Sequence, residues 1–226
     1  MHSAATLTSL QQRIDEMQPL RLDERALPTH PALAPLLPGG ALRAGASYSV
    51  RGSWQLALAF LAEASRGGAW CGVLGCPGFG AEAAAGLGIA LDRCVLIPEP
   101  GRHALSLAGT LGETLAVVVA GFDARVSPGD IERLAARLRE NGAAFVAVGE
   151  WARSESRLTV VSSRWVGLGT GSGALTDREL TVRSEDRRGA RLHTVRIARG
   201  GLADDAQAIE AVDRRSTAAH RLLRAV

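Results

Sequence analysis

Residues 47–64 read Ser47-Tyr48-Ser49-Val50-Arg51-Gly52-Ser53-Trp54-Gln55-Leu56-Ala57-Leu58-Ala59-Phe60-Leu61-Ala62-Glu63-Ala64, a short apolar run that passes almost directly into a helical one. In a nucleotide-binding unit the turn between such a strand and helix has the form G-x-x-x-x-G-K-[ST]: backbone amides surround the phosphates, while lysine and a hydroxyl hold phosphate and magnesium. Here the turn is cut to Gly52-Ser53, and none of the 26 basic residues is lysine. Gly52 and Ser53 therefore read as a vestigial phosphate-loop position, and no cofactor is expected. A helix N-terminus still carries free N–H groups and partial positive charge, which leaves room for weak anion binding at Ser53.

Working outward, 226 residues suit one α/β domain with small appendages, long enough to bury a substantial core. Hydrophobic residues at 46% and charged residues at 22% are those of a soluble globular chain, with no apolar run of membrane-spanning length. Met1-His2-Ser3-Ala4-Ala5 lacks the basic and apolar regions of a secretory signal, so a cytoplasmic location is expected. Cys71, Cys76 and Cys94 are odd in number and fall in or near expected strands, which makes them buried reduced thiols. The histidines are scattered without metal-ligand spacing, and no G-x-S-x-G elbow or other nucleophile arrangement occurs.

Four segments are expected: an amphipathic helix over residues 1–18, a Pro-rich extended linker over 19–37, the main domain over 38–200 and a C-terminal amphipathic helix over 201–226. Within the main domain, strands at Tyr48–Val50, Trp70–Leu74, Arg93–Ile97, Leu115–Ala120 and Ala143–Val148 alternate with helices at Ser53–Ala64, Ala81–Leu87 and after Ser127-Pro128. That alternation predicts a mostly parallel sheet flanked by helices. After Glu150 the strands Arg157–Ser162, Glu179–Arg183 and Arg191–Ile197 predict an antiparallel extension. Gly167-Leu168-Gly169-Thr170-Gly171-Ser172-Gly173 is followed through Ala174–Arg178 by a strand-like segment where a dinucleotide loop needs a helix, so it reads as a flexible connection.

This order of elements resembles a RecA-type core over about residues 36–198, through Leu37-Pro38-Gly39-Gly40-Ala41-Leu42-Arg43-Ala44-Gly45, Leu56–Ala64, Leu115–Ala120 and Phe145–Val148. The family's phosphate-loop lysine and threonine have no counterpart at Gly52-Ser53-Trp54-Gln55. Its water-activating carboxylate falls near Gly75-Cys76-Pro77, where no acid stands, and its magnesium-associated aspartate falls at Ala120-Gly121, with Asp123 a few residues late. A RecA-like fold without these residues most resembles the actinobacterial ImuA-type group. That resemblance implies a non-enzymatic accessory protein of SOS-induced translesion synthesis, with an ImuB-type Y-family polymerase homologue and an error-prone C-family polymerase as partners. A SulA-like cell-division inhibitor fits the same description, and a cryptic nucleotide-binding ATPase is the enzymatic alternative.

Two places are candidates for contact. RecA-type cores bind single-stranded DNA through loops, and the corresponding loop here, residues 151–157, joins Trp151 to Arg153 and Arg157; an aromatic ring beside guanidinium groups can stack bases, or Trp151 can simply cap the sheet edge. In the expected C-terminal helix, Ile209, Val212, Ala219 and Leu223 form an apolar stripe flanked by Arg214 and Arg215, which suits either the protein's own core or a partner's groove. The net charge of +3 is spread unevenly, with residues 153–199 the arginine-rich part, as a nucleic-acid-facing or an ordinary solvated surface would be.

Overall fold

The computed structural model describes residues 25–168, 173–198, 201–203 and 208–209. β1 (Ala26–Leu27) pairs antiparallel with β2 (Leu42–Arg43) across a 3₁₀ turn at Pro31–Leu36. The main sheet begins at β3 (Ser47–Arg51), followed by α1 (Trp54–Ala59) and α2 (Ala62–Arg66). Next come β4 (Cys71–Leu74), α3 (Ala81–Gly86), β5 (Cys94–Ile97), α4 (Ala104–Leu111) and β6 (Val117–Gly121). α5 (Pro128–Asn141) leads to β7 (Ala144–Val148), and a meander of β8 (Arg157–Leu168), β9 (Gly173–Asp186) and β10 (Gly189–Ala198) completes the body.

In the sheet these strands lie in the order β5-β4-β6-β7-β3-β8-β9-β10. β5 through β3 are parallel, β8 joins β3 in parallel at Ser49–Arg51, and β9 and β10 run antiparallel. The fold is thus α/β with a mixed sheet between helices. Alternation along the central strands supplies both cores: Val117, Val119, Ala144 and Val146 face α1 to α3, whereas Val118, Ala120, Phe145 and Ala147 face α4 and α5. α5 is capped as its sequence requires. Ser127 Oγ accepts the Asp130 N–H at 3.2 Å, Pro128 occupies the first turn, and Gly142 closes the helix at φ 75°. No described helix is long and apolar enough to cross a membrane.

Several expectations change. The Pro-rich stretch is no extended linker where it is described: Leu33, Leu36 and Leu37 are buried in the core, the His30 ring accepts the Ala32 N–H, and the Ser156 hydroxyl donates to the Leu36 carbonyl. Proline forbids a long α-helix but is compatible with a short 3₁₀ turn, and the leucines between the prolines supply the burial. The helix expected over Ser53–Ala64 is two pieces, because Phe60 and Leu61 donate to carbonyls three residues back, at Ala57 and Leu58. α4 is an element that the sequence pattern does not predict. β8 and β9 are longer than expected and pair as far as Leu168 and Gly173, so the glycine-rich segment connects the two strands of a hairpin.

At the chain's end Gly201–Leu202 and Ala208–Ile209 form short strands, β11 and β12, against β10. Ile209, expected on a helix, therefore stands in a strand opposite Leu192. The rest of that expected helix, with Val212, Arg214, Arg215, Ala219 and Leu223, lies outside the described residues, as does the expected N-terminal helix.

Candidate functional site

In an open α/β sheet, ligands bind in the crevice at the carboxyl ends of the parallel strands. Here that rim is formed by Arg51-Gly52-Ser53 after β3, Gly75-Cys76-Pro77 after β4, Gly121-Phe122-Asp123 after β6 and Gly149-Glu150 after β7. Its centre is closed by the protein's own groups. A Cβ placed on Gly121 would lie 2.6 Å from Trp54 Cζ2 and 3.0 Å from the Gly75 carbonyl oxygen, so the Trp54 indole rests directly on the end of β6. Gly75, at φ 66°, packs against the Gly121 carbonyl. Glycine is required at both positions, at Gly75 by φ and by contact, at Gly121 by contact.

The vestigial turn is equally occupied. Gly52, at φ 86°, lies under Val160 of β8, whose Cβ is 3.3 Å from where a Gly52 Cβ would stand. Ser53 spends its side chain on the helix, with Oγ accepting the Leu56 N–H at 3.1 Å. α1 itself is only six residues long, too short to build an anion site on its dipole. Beside the closed centre is an open depression of 380 Å³ bordered by Pro77, Pro98, Glu99, Pro100 and Asp123. Among the described residues no group of three His, Cys, Asp or Glu side chains is placed to hold a metal ion.

Potential nucleophiles are held in their neutral forms. Burial pushes the Cys71 thiol up to about 12 and raises Cys76 and Cys94 as well, and Cys71 stands opposite Cys94 in the β4–β5 pair. Burial likewise raises the Tyr48 phenol, whose oxygen accepts the Arg43 N–H at 2.9 Å.

The residues expected to meet DNA are separated by the fold. Trp151 is buried in the α4/α5 core, stacked on Phe122 at 5.5 Å and tilted against Phe145 at 5.1 Å. It is unavailable for base stacking, and its role is to close the core beneath the loop. Arg153 is exposed and ion-paired with Glu132 of α5. Arg157 is exposed at the start of β8 and borders a groove of 570 Å³ with Ser49, Arg51, Arg125 and Glu150. The local sequence carries no sign of Arg125, because only the folded chain brings it to the groove with Arg157. Nor does it mark Trp165, which is 53% exposed on the outer part of β8 with the Arg178 guanidinium 5.3 Å from its ring centre.

Comparison with known proteins bears on this geometry. The model of the family described as MT3502 N-terminal domain matches residues 35–153, more than half of the chain, and the chain belongs to that family. The matched stretch holds strands β3 to β7 and ends before the meander. The chain is also similar to the uncharacterized protein Rv3395c of Mycobacterium tuberculosis, at 29% identity over 127 residues. That similarity covers 54% of this chain and 62% of the relative's length.

Proposed function

We propose that this chain is a non-catalytic RecA-like accessory protein that acts in the cytoplasm as an adaptor in SOS-induced translesion DNA synthesis. Its partners in this reading are an ImuB-type Y-family polymerase homologue and an error-prone C-family polymerase. The observation that carries the non-catalytic part is the closed crevice: the sheet is intact, yet Trp54 rests on Gly121 and the strand ends carry no acid at Gly75-Cys76-Pro77. A hydrolase of this architecture needs a phosphate cradle and a base to orient water; the cradle position is occupied by packing and no acid stands at the base position. The order of the parallel strands, with β3 flanked by β7 and β8 and a meander added to one side, supports the RecA-like reading.

The partner contact is assigned to the segment after β12, where Val212, Arg214, Arg215, Ala219 and Leu223 carry the apolar and basic pattern. Ending the chain at Glu210 keeps β11 and β12 and so preserves the cover on β10. Affinity capture from DNA-damaged cells with the full-length protein and with the version ending at Glu210 tests the reading. Recovery of a Y-family polymerase homologue with the full-length bait alone supports it. Recovery of the tubulin-like division protein and no polymerase replaces it with the SulA-like reading, and saturable micromolar nucleotide binding followed by Trp54 fluorescence replaces it with an ATPase.

A further inference from the structure

We propose that the N-terminal segment of this chain, residues 7–24, docks in cis along α5, in a pair of adjoining grooves between that helix and residues 150–157. Near the last turn of α5 one groove, of 330 Å³, is bordered by Ala46, Ala135, Arg139, Glu155 and Arg187. The other, of 570 Å³, is bordered by Arg51, Arg125, Val126, Ile131, Glu150 and Arg157.

The place where the segment joins the body points to these grooves. The Arg25 carbonyl accepts the Ala44 N–H at 2.7 Å, and the Gly45 N–H donates to the Ala143 carbonyl just past α5. A Cβ placed on Gly45 would stand 3.0 Å from Arg139 Cα, and Gly45 itself borders the smaller groove. The 24 residues before Arg25 therefore start from the C-terminal end of α5, beside the groove. Residues 18–24 span up to about 24 Å when extended, and residues 7–17 cover about 16 Å at helical rise. α5, with 14 residues, is about 21 Å long. The segment is thus long enough to follow both grooves from its point of attachment.

Charge and polarity match as well. In the segment Asp15, Glu16, Asp23 and Glu24 outnumber Arg13 and Arg21. Along the grooves Arg125, Arg139, Arg157 and Arg187 are exposed and have no carboxylate partner among the described residues. The acids on the same walls are already paired, Glu150 with Arg51, Glu155 with Arg43 and Glu185 with Arg183. Opposite charges therefore face each other without competition from the walls. Leu7, Leu10, Ile14 and Met17 recur at helical spacing, and so short an amphipathic stretch is not stable alone in water. Ala46 and Ala135 in one groove, and Val126 and Ile131 in the other, give its apolar stripe a surface between the cations. Tethering raises the segment's effective concentration to about the millimolar range, so individually weak contacts suffice. Docked there, the segment keeps other acidic ligands from the four arginines. The contact involves neither the strand-end crevice nor the segment after β12, so it stands apart from the adaptor reading.

Hydrogen–deuterium exchange of the full-length protein, read by mass spectrometry, tests this. Amides of residues 7–17 should exchange at least about tenfold more slowly than those of an unstructured chain. R125A/R139A/R157A/R187A should lose that protection. D15N/E16N/D23N/E24N, which alters no residue of the described body, should lose it too. R66A/R93A/R102A/R164A removes the same charge elsewhere and should keep it. Urea melting confirms that each variant is folded. Unprotected exchange of residues 7–17 in the unaltered protein overturns the proposal, as does protection that survives both of the first two variants or is lost equally in the third. Protection that disappears on dilution also overturns it, because the segment would then sit on a second copy of the chain.

Discussion

The parallel half of the sheet and the antiparallel meander spend their side chains in opposite ways. From β4 to β3 nearly every strand residue is buried, and the centre of the carboxyl ends is sealed by Trp54, Gly75 and Gly121. From β8 to β10 one face packs on the core through Leu158, Leu180, Val182, Val195 and Ile197, while Val161, Trp165 and Val166 are exposed and arginines dominate the charge. At the strand ends the open space lies to either side of the sealed centre, in the depression beside Pro77 and Asp123 and in the groove beside Arg51, Arg125 and Glu150. The family match covers β3 to β7 and stops before the added strands.

The largest contrast should come from glycine. Gly75→Ala places a methyl group against the Gly121 backbone at φ 66°, and is expected to cost about 3 kcal/mol or more from strain and overpacking together. Gly189→Ala, at φ 118° with open space around it, meets strain alone and should cost about 1 to 2 kcal/mol. Urea denaturation of the pair measures the difference; equal costs would mean that the strand ends are not tightly sealed. Next is Leu33→Ala, a fully buried side chain from the Pro-rich stretch, with an expected loss of about 3 kcal/mol. A loss below about 0.5 kcal/mol would return that stretch to the status of a linker.

Trp54→Ala should cost about 2 kcal/mol, less than full burial implies because the ring is half-buried. Opening the crevice in this way should create no ATP binding by calorimetry, since the amide cradle and lysine remain absent. Micromolar binding by the variant would show that Trp54 alone blocks a competent site.

The parallel half was largely legible in the sequence because burial on both faces writes itself as continuous apolar runs, as in Val117-Val118-Val119-Ala120, and because α5 carries its own signals in Ser127, Pro128 and Gly142. α4 escaped because Ala104-Leu105-Ser106-Leu107-Ala108-Gly109-Thr110-Leu111 contains glycine and hydroxyl residues with no N-cap hydrogen bond. The Pro-rich stretch misled because its leucines are buried by contacts with distant residues such as Ser156, which local propensity does not record. Trp151 beside two arginines resembled a stacking loop, but the partners that decide its role, Phe122 and Phe145, are elsewhere in the chain. The groove beside α5 was hidden for the same reason: Arg51, Arg125 and Arg157 border it from separate parts of the chain and are joined only by the fold.

A smaller effect divides the meander itself. His193 is buried on the core face of β10, opposite Val182 and Ala208, and neither ring nitrogen has a hydrogen-bond partner among the described residues. Burial lowers its pKa, and the Arg191 charge lowers it further. With the folded value below the unfolded one, the unfolded chain takes up the proton first. Stability is then full above about pH 6.5, the ordinary histidine value, and declines as pH falls from there toward the folded value. His193→Phe should remove this decline between pH 7 and pH 5.5 in urea melts, and an unchanged decline would assign it to other groups.

The smallest expected effect is at Trp165, and it tests the open half of the comparison most directly. The ring is 53% exposed, beyond the last β3 pairing of β8 at Thr159, and its described ring contact is with Arg178. Arg178 is itself secured by Gln55 Oε1 at 3.0 Å and by Ser163 Oγ at 2.9 Å, so losing the indole removes one cation–π contact worth about 0.5 to 1 kcal/mol and leaves no cavity in the core. Trp165→Ala should therefore shift stability by about 0.5 kcal/mol or a little more, within the range of ordinary surface substitutions. A loss above about 2 kcal/mol would show that the outer ribbon of β8 and β9 is held as tightly as the parallel strands. In that case the division between the buried parallel strands and the exposed meander would have to be drawn farther out along the hairpin.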